Sequence, residues 1–85
     1  MFYVYVLKSP VADTVYIGFS ADLRQRIKEH QQKLHRGWKL VYYEAYLDER
    51  DARLRERKLK QYGASLGHLK ARIKNSLDQA IERAG

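Results

Sequence analysis

The chain of 85 residues sets 17 Lys and Arg against 10 Asp and Glu, a formal net charge of +7, and contains no cysteine. That leaves room for one small domain, residues 1–85, and excludes thiol catalysis, disulfides and thiolate metal sites. No apolar run approaches the roughly twenty residues of a membrane span, and Met1 leads straight into strand-like sequence instead of a signal peptide, so a soluble, cytoplasmic protein is expected.

Phe2 to Leu7, FYVYVL, reads as a strand buried on both faces, with Tyr3 and Tyr5 toward one side and Phe2, Val4 and Val6 toward the other. Lys8 to Asp13, with the only proline, reads as a turn, and Thr14 to Phe19 as a second, antiparallel strand. Gly18 leads into a helix with Ser20 as its N-cap and Asp22 in its first turn. Leu23, Ile27, His30 and Leu34 then follow at spacings that define one helical face, turned toward the core. This helix is expected to end near His35 to Gly37, ahead of a third strand, Trp38 to Leu47.

Asp48 is placed to cap a second helix, with Glu49 and Asp51 near the positive end of its dipole. Ala52, Glu56 and Leu59 share its inward stripe. Tyr62-Gly63 breaks it, and Ser65 suits the cap of a third helix. There Leu66, Leu69, Ile73, Leu77 and Ile81 keep helical spacing, as a floor to the core. The order β-β-α-β-α-α describes an α+β domain, a small three-stranded antiparallel sheet flanked by helices.

A basic domain serves solubility, or it binds a polyanion, with nucleic acid ahead of an anionic membrane. Four kinds of residue carry possible chemistry. Tyr5 and Tyr16, on neighbouring strands, form a cross-strand aromatic pair or set two hydroxyls on a phosphate or a water. Arg26 sits on a solvated helix face, or at a rim from which its fork of donors reaches a phosphodiester. His30 is core-facing, either a hydrogen-bonded structural group or an acid–base group; His35 and His68, at helix ends, have less to place them. Glu56 is unusual as a carboxylate on an inward stripe. It pairs with one of Arg53, Arg55, Arg57 and Lys60, or it serves as a hard-oxygen ligand for Mg²⁺.

Tyr3-Val4-Tyr5, Tyr16-Ile17-Gly18, ADLRQRIKEH and LVYYEAYLDERDARLRERKLK occur in the order of the small single-domain members of the GIY-YIG nuclease family, which nearly the whole chain resembles. The resemblance implies the family's endonuclease fold and hydrolysis of DNA phosphodiesters to a 3′-hydroxyl and a 5′-phosphate. Tyr5 then takes the place of a general base and Tyr16 that of the second-signature tyrosine. Arg26 stabilises the phosphorane-like charge, His30 assists near the scissile phosphate, and Glu56 holds a single Mg²⁺ or Mn²⁺. Gly18 lets backbone and substrate approach closely, and Arg24 and Lys33 join it as substrate contacts. Tyr3 stands where the first signature has glycine, Asn75 is nearest in order to the family's distal asparagine, and the loop from Gln31 to Gly37 is short.

The expectation is a metal-dependent DNA endonuclease, acting as monomer or homodimer and directed by DNA structure or damage more than by sequence, as DNA repair requires. Single-stranded, branched and damaged DNA all suit it. The rival is a non-catalytic nucleic-acid-binding module that keeps the fold and the charge.

Overall fold

β1, Phe2–Lys8, is the middle strand of a three-stranded antiparallel sheet of order β2-β1-β3 in a computed structural model that describes residues 1–80. A central strand has partners on both edges and cover on both faces, as the unbroken apolar run of FYVYVL requires; Val4, Tyr5, Val6 and Leu7 are each 1% exposed. Val4 and Val6 join Ile17, Ala52, Leu59 and Leu69 in the hydrophobic core, while Tyr3 and Tyr5 occupy the opposite face.

β2, Val15–Ser20, pairs with β1 so that Tyr5 stands opposite Gly18 and Tyr3 opposite Ser20. Between the two strands, the buried Lys8 ammonium donates to the carbonyls of Ser9 and Ala12, which replace its water. The cap of the next helix differs from expectation. Ser20 remains in the strand and its hydroxyl bonds Asp22, whereas Asp22 itself caps α1, Leu23–Glu29, by accepting from the Gln25 N–H at 3.1 Å.

α1 runs without a break into a π-helical turn, His30–Leu34, in which the His35 N–H donates to the His30 carbonyl five residues back, at 2.8 Å. The extra residue in that turn rotates the chain, so that Leu34, expected on the inward face, is 67% exposed. α1 itself buries none of its residues, and Leu23 and Ile27 are half-buried instead of forming core.

β3, Lys39–Tyr46, pairs with the other edge of β1, with an irregularity in register between Val6 and Leu7. α2, Glu49–Gln61, is capped by Asp48 as expected and lays Ala52 and Leu59 on the Val4/Val6 face of the sheet. The last helical stretch is in two pieces. α3, Gly63–Arg72, starts ahead of Ser65, and the chain breaks at Ile73 before α4, Lys74–Gln79. Leu66, Leu69 and Ile73 still floor the core, and Ile81 lies outside the described residues. No helix among the described residues is long and apolar enough to cross a membrane.

Candidate active site

Tyr5 is held at the centre of the site because β1 is the central strand and because its cross-strand partner is a glycine. A β-carbon on Gly18 would overlap the Tyr5 ring, so the bare backbone of β2 is the seat of the phenol. Gly18 therefore lies within the strand, and the space it leaves is filled by Tyr5. That geometry gives Gly18 the role of seating Tyr5.

From this seat the Tyr5 Oη lies 2.6 Å from His30 Nε2, and His30 Nδ1 lies 2.9 Å from His35 Nδ1. The π turn makes the second contact possible. At α-helical spacing Leu34 would sit above His30, whereas the wider turn brings the fifth residue, His35, over it. Tyr16 packs across both imidazoles, 5.0 Å from His30 and 4.6 Å from His35 between ring centroids, and Trp38 closes the outer end 4.7 Å from His35. The result is a continuous chain of polar ring atoms that starts at a buried phenol and ends at a half-buried histidine.

Burial sets the resting protonation of that chain. Burial pushes the Tyr5 phenol well above its ordinary pKa; nearby Tyr16 and the negative charge of Glu56 add to the effect and the positive charge of Arg26 opposes it. His30 is lowered by burial first, then by His35 and Arg26, against a weaker pull from Glu29. Near neutral pH the pair is thus a protonated phenol facing an uncharged imidazole.

Arg26 and Glu56 join the cluster through their fields. Arg26, its side chain 45% exposed, leans on Glu29 at 3.8 Å. Glu56 is 15% exposed, with the Lys60 ammonium at 3.0 Å and the Arg53 guanidinium at 3.6 Å, both of them about half exposed. Arg53 also lies over the Phe19 ring, 3.7 Å from its centroid. The ion pairing expected for Glu56 is present, and its charge is felt at Tyr5 as well.

A second carboxylate, Glu44 on β3, shows what a saturated acid looks like here. Burial raises it, but bonds from Arg55, Tyr46 and Tyr42 outweigh that and hold its pKa below the ordinary value. Its oxygens receive Arg55 Nε and Nη2, each at 3.0 Å, and both tyrosine hydroxyls. Glu56 has no such girdle. Among the described residues no group of three or more His, Asp or Glu is arranged to hold a metal by itself. Mg²⁺ commonly takes one or two carboxylates and completes its shell with water and phosphate, so a single hard oxygen donor with displaceable cationic neighbours fits it.

The remaining candidates fall outside the cluster. Arg24 lines an open groove beside α1, Lys33 is exposed on the π turn, and Asn75 is exposed on α4. His35 and Trp38 belong to the cluster although sequence periodicity gives neither a place in it. The one signal that would have found His35 is a five-residue spacing from His30.

The site is thus a phenol–imidazole chain on the tyrosine face of a small antiparallel α+β domain. The family model of the GIY-YIG catalytic domain matches residues 1–70, and the chain belongs to the GIY-YIG nuclease family. Neither the curated proteins nor the solved structures contain a significant match to it.

Proposed function

We propose that the protein is a metal-dependent endonuclease that hydrolyses DNA phosphodiesters, with Tyr5, Tyr16, Arg26, His30 and Glu56 as its working residues. The observation that carries this reading is the 2.6 Å contact between Tyr5 and His30 within the fields of Arg26 and Glu56. Tyr5, a neutral phenol, acts as a base only by giving up its own proton. His30 is placed to take it. As the Tyr5 oxygen removes a proton from the attacking water, the Tyr5 proton passes to His30 Nε2 and that of His30 Nδ1 to His35 Nδ1. The new P–O bond forms at the water oxygen, the bond to the 3′-oxygen breaks, and that oxygen leaves as an alkoxide that takes a proton from solvent water.

The Arg26 guanidinium stabilises the charge that grows on the phosphate oxygens. Glu56 would hold the divalent cation, Mg²⁺ or Mn²⁺, which when bound supplies charge neutralisation on the scissile phosphate. Tyr16 packs against both histidines and keeps bulk water from the relay. Arg24 and Lys33 supply exposed cations for backbone phosphates, which give affinity without sequence information, so cleavage follows DNA structure or damage. A chain without cysteine suits the reducing cytoplasm.

Nicking of supercoiled plasmid and cleavage of branched and single-stranded DNA in Mg²⁺ or Mn²⁺ test this. Wild type should cut, and Glu56→Ala and Arg26→Ala should lose at least about a hundredfold in rate. Equal cutting by wild type and Glu56→Ala would mark the activity as contamination. Salt-sensitive binding by all three proteins without cutting would establish the binding module instead.

A further inference from the structure

α1 stands off the sheet. Its apolar stripe, which in a tightly packed domain would be core, borders instead an open groove of about 590 Å³ that runs between α1 and the tyrosine face of β1 and β3. Leu23 and Ile27 form one wall and Tyr3 and Tyr43 the other, with Arg24 and Lys28 along the rim. Tyr43 is 53% exposed, and its ring is steadied by the Tyr3 ring, 6.0 Å away between centroids at 65°.

Half of Tyr43 is left open to water, with one aromatic neighbour. Opposite an apolar wall it makes a slot for a flat ring. The two cations at the rim give that slot an attraction for phosphate; the one acid beside them, Asp22, has an oxygen committed to capping α1. Tyr3 is two residues from Tyr5 along β1, about 7 Å at strand rise, so the groove opens within reach of a nucleotide neighbouring the scissile phosphate.

We propose that this groove is a nucleobase subsite that takes one unpaired base of single-stranded DNA against Tyr43, with Arg24 and Lys28 on the phosphates that flank it. The assignment rests on the nuclease reading for its place beside Tyr5. A duplex cannot fill the slot, because its bases are already stacked and paired; a single strand offers a free ring face and a flexible backbone. The substrate class that follows is DNA with an unpaired stretch next to the cleavage point.

Fluorescence anisotropy with a labelled mixed-sequence single strand of about 12 nucleotides, and with the duplex of the same sequence, measures this in EDTA, where no cutting intervenes. Wild type should bind the single strand more tightly. Tyr43→Ala should weaken single-strand binding about tenfold and leave duplex binding within about twofold, while Tyr43→Phe, which keeps the ring face, should bind as wild type. Lys28→Ala should weaken both DNA forms and lower the salt slope by about 1. Unchanged single-strand affinity in Tyr43→Ala, or an equal loss on both DNA forms, would overturn the subsite. These outcomes are independent of catalysis: a protein that never cuts but shows the Tyr43 effect keeps the subsite and loses the nuclease reading, and a protein that cuts without it does the reverse.

Discussion

The ring of Tyr5 occupies the space over Gly18 that a β-carbon would fill. Tyr5 is buried and has His30 at its hydroxyl, so it cannot retreat from an added methyl group without leaving its partner. Gly18→Ala should therefore cost about 1–3 kcal/mol in stability, the usual price of forcing extra volume into a packed site. Its folded fraction should cut at least about tenfold more slowly. Urea unfolding together with single-turnover cleavage checks both; a variant with wild-type stability and rate would show that Tyr5 does not depend on that seat.

His35 tests the outer end of the relay. In the proposed relay, His35 Nδ1, 2.9 Å from His30 Nδ1, accepts the proton that His30 gives up as it takes that of Tyr5. His35→Ala should slow the chemical step by about 10²-fold with little change in KM, within the range of acid–base contributions. Added imidazole should restore part of the rate in this variant and leave wild type unaffected. A slow variant that imidazole does not rescue would reduce His35 to a packing role between Tyr16 and Trp38.

Buried, uncharged His30 sets a pH dependence of definite sign. Its pKa in the folded protein lies below the ordinary value of about 6.5, so between the two values the unfolded chain holds a proton that the folded chain lacks. Stability is therefore full above about pH 6.5 and declines as pH falls through that window. The groups that face His30 are Tyr5, Tyr16 and His35 from outside its helix, and Arg26 and Glu29 from within it. The urea midpoint should fall between pH 7.5 and 5.5 in wild type, and the fall should be smaller in His30→Gln. The cleavage rate should decline over the acid side of the same range, as His30 becomes unable to accept the Tyr5 proton. A midpoint that rises on acidification would reverse the sign assigned here.

Much of this is legible in the sequence, for specific reasons. FYVYVL declares a central strand because both of its faces are apolar, and the nearness of the Tyr5 and Tyr16 rings follows from a hairpin whose strands lie side by side, although the register sets Tyr5 opposite Gly18 and Tyr16 opposite Leu7. Ala52 and Leu59 identify the inward face of α2 and so draw attention to Glu56 between them. The π turn is where periodicity fails. A 3.6-residue repeat places Leu34 with His30, and only the wider turn exposes Leu34 and delivers His35. The N-cap of α1 is misplaced for a similar reason: Ser20 and Asp22 are both good capping residues, and the choice is made by the pairing of Ser20 with Tyr3 in the sheet. The stand-off of α1 is a tertiary outcome too, since an apolar stripe at helical spacing does not say whether it meets core or groove.

Glu44 and Glu56, both partly buried, should separate cleanly. Glu44 ties β3 to α2 through Arg55, so Glu44→Gln should cost about 1–3 kcal/mol in stability and leave the cleavage rate per folded molecule near wild type. Glu56→Gln should do the opposite, with a near-normal urea midpoint and a rate at saturating DNA that needs much more Mg²⁺ or Mn²⁺ to recover. Exchange of these two phenotypes would move the metal site from Glu56 to Glu44.

Tyr5→Phe asks the central question most directly, since it removes one oxygen and leaves the seat over Gly18, the packing and the surrounding charge in place. In single-turnover cleavage of labelled DNA under saturating Mg²⁺ or Mn²⁺, the variant should bind as wild type and cut at least about a hundredfold more slowly. A Tyr5→Phe protein that folds, binds and cuts at the wild-type rate would contradict the assignment of Tyr5 and His30 as the start of proton transfer.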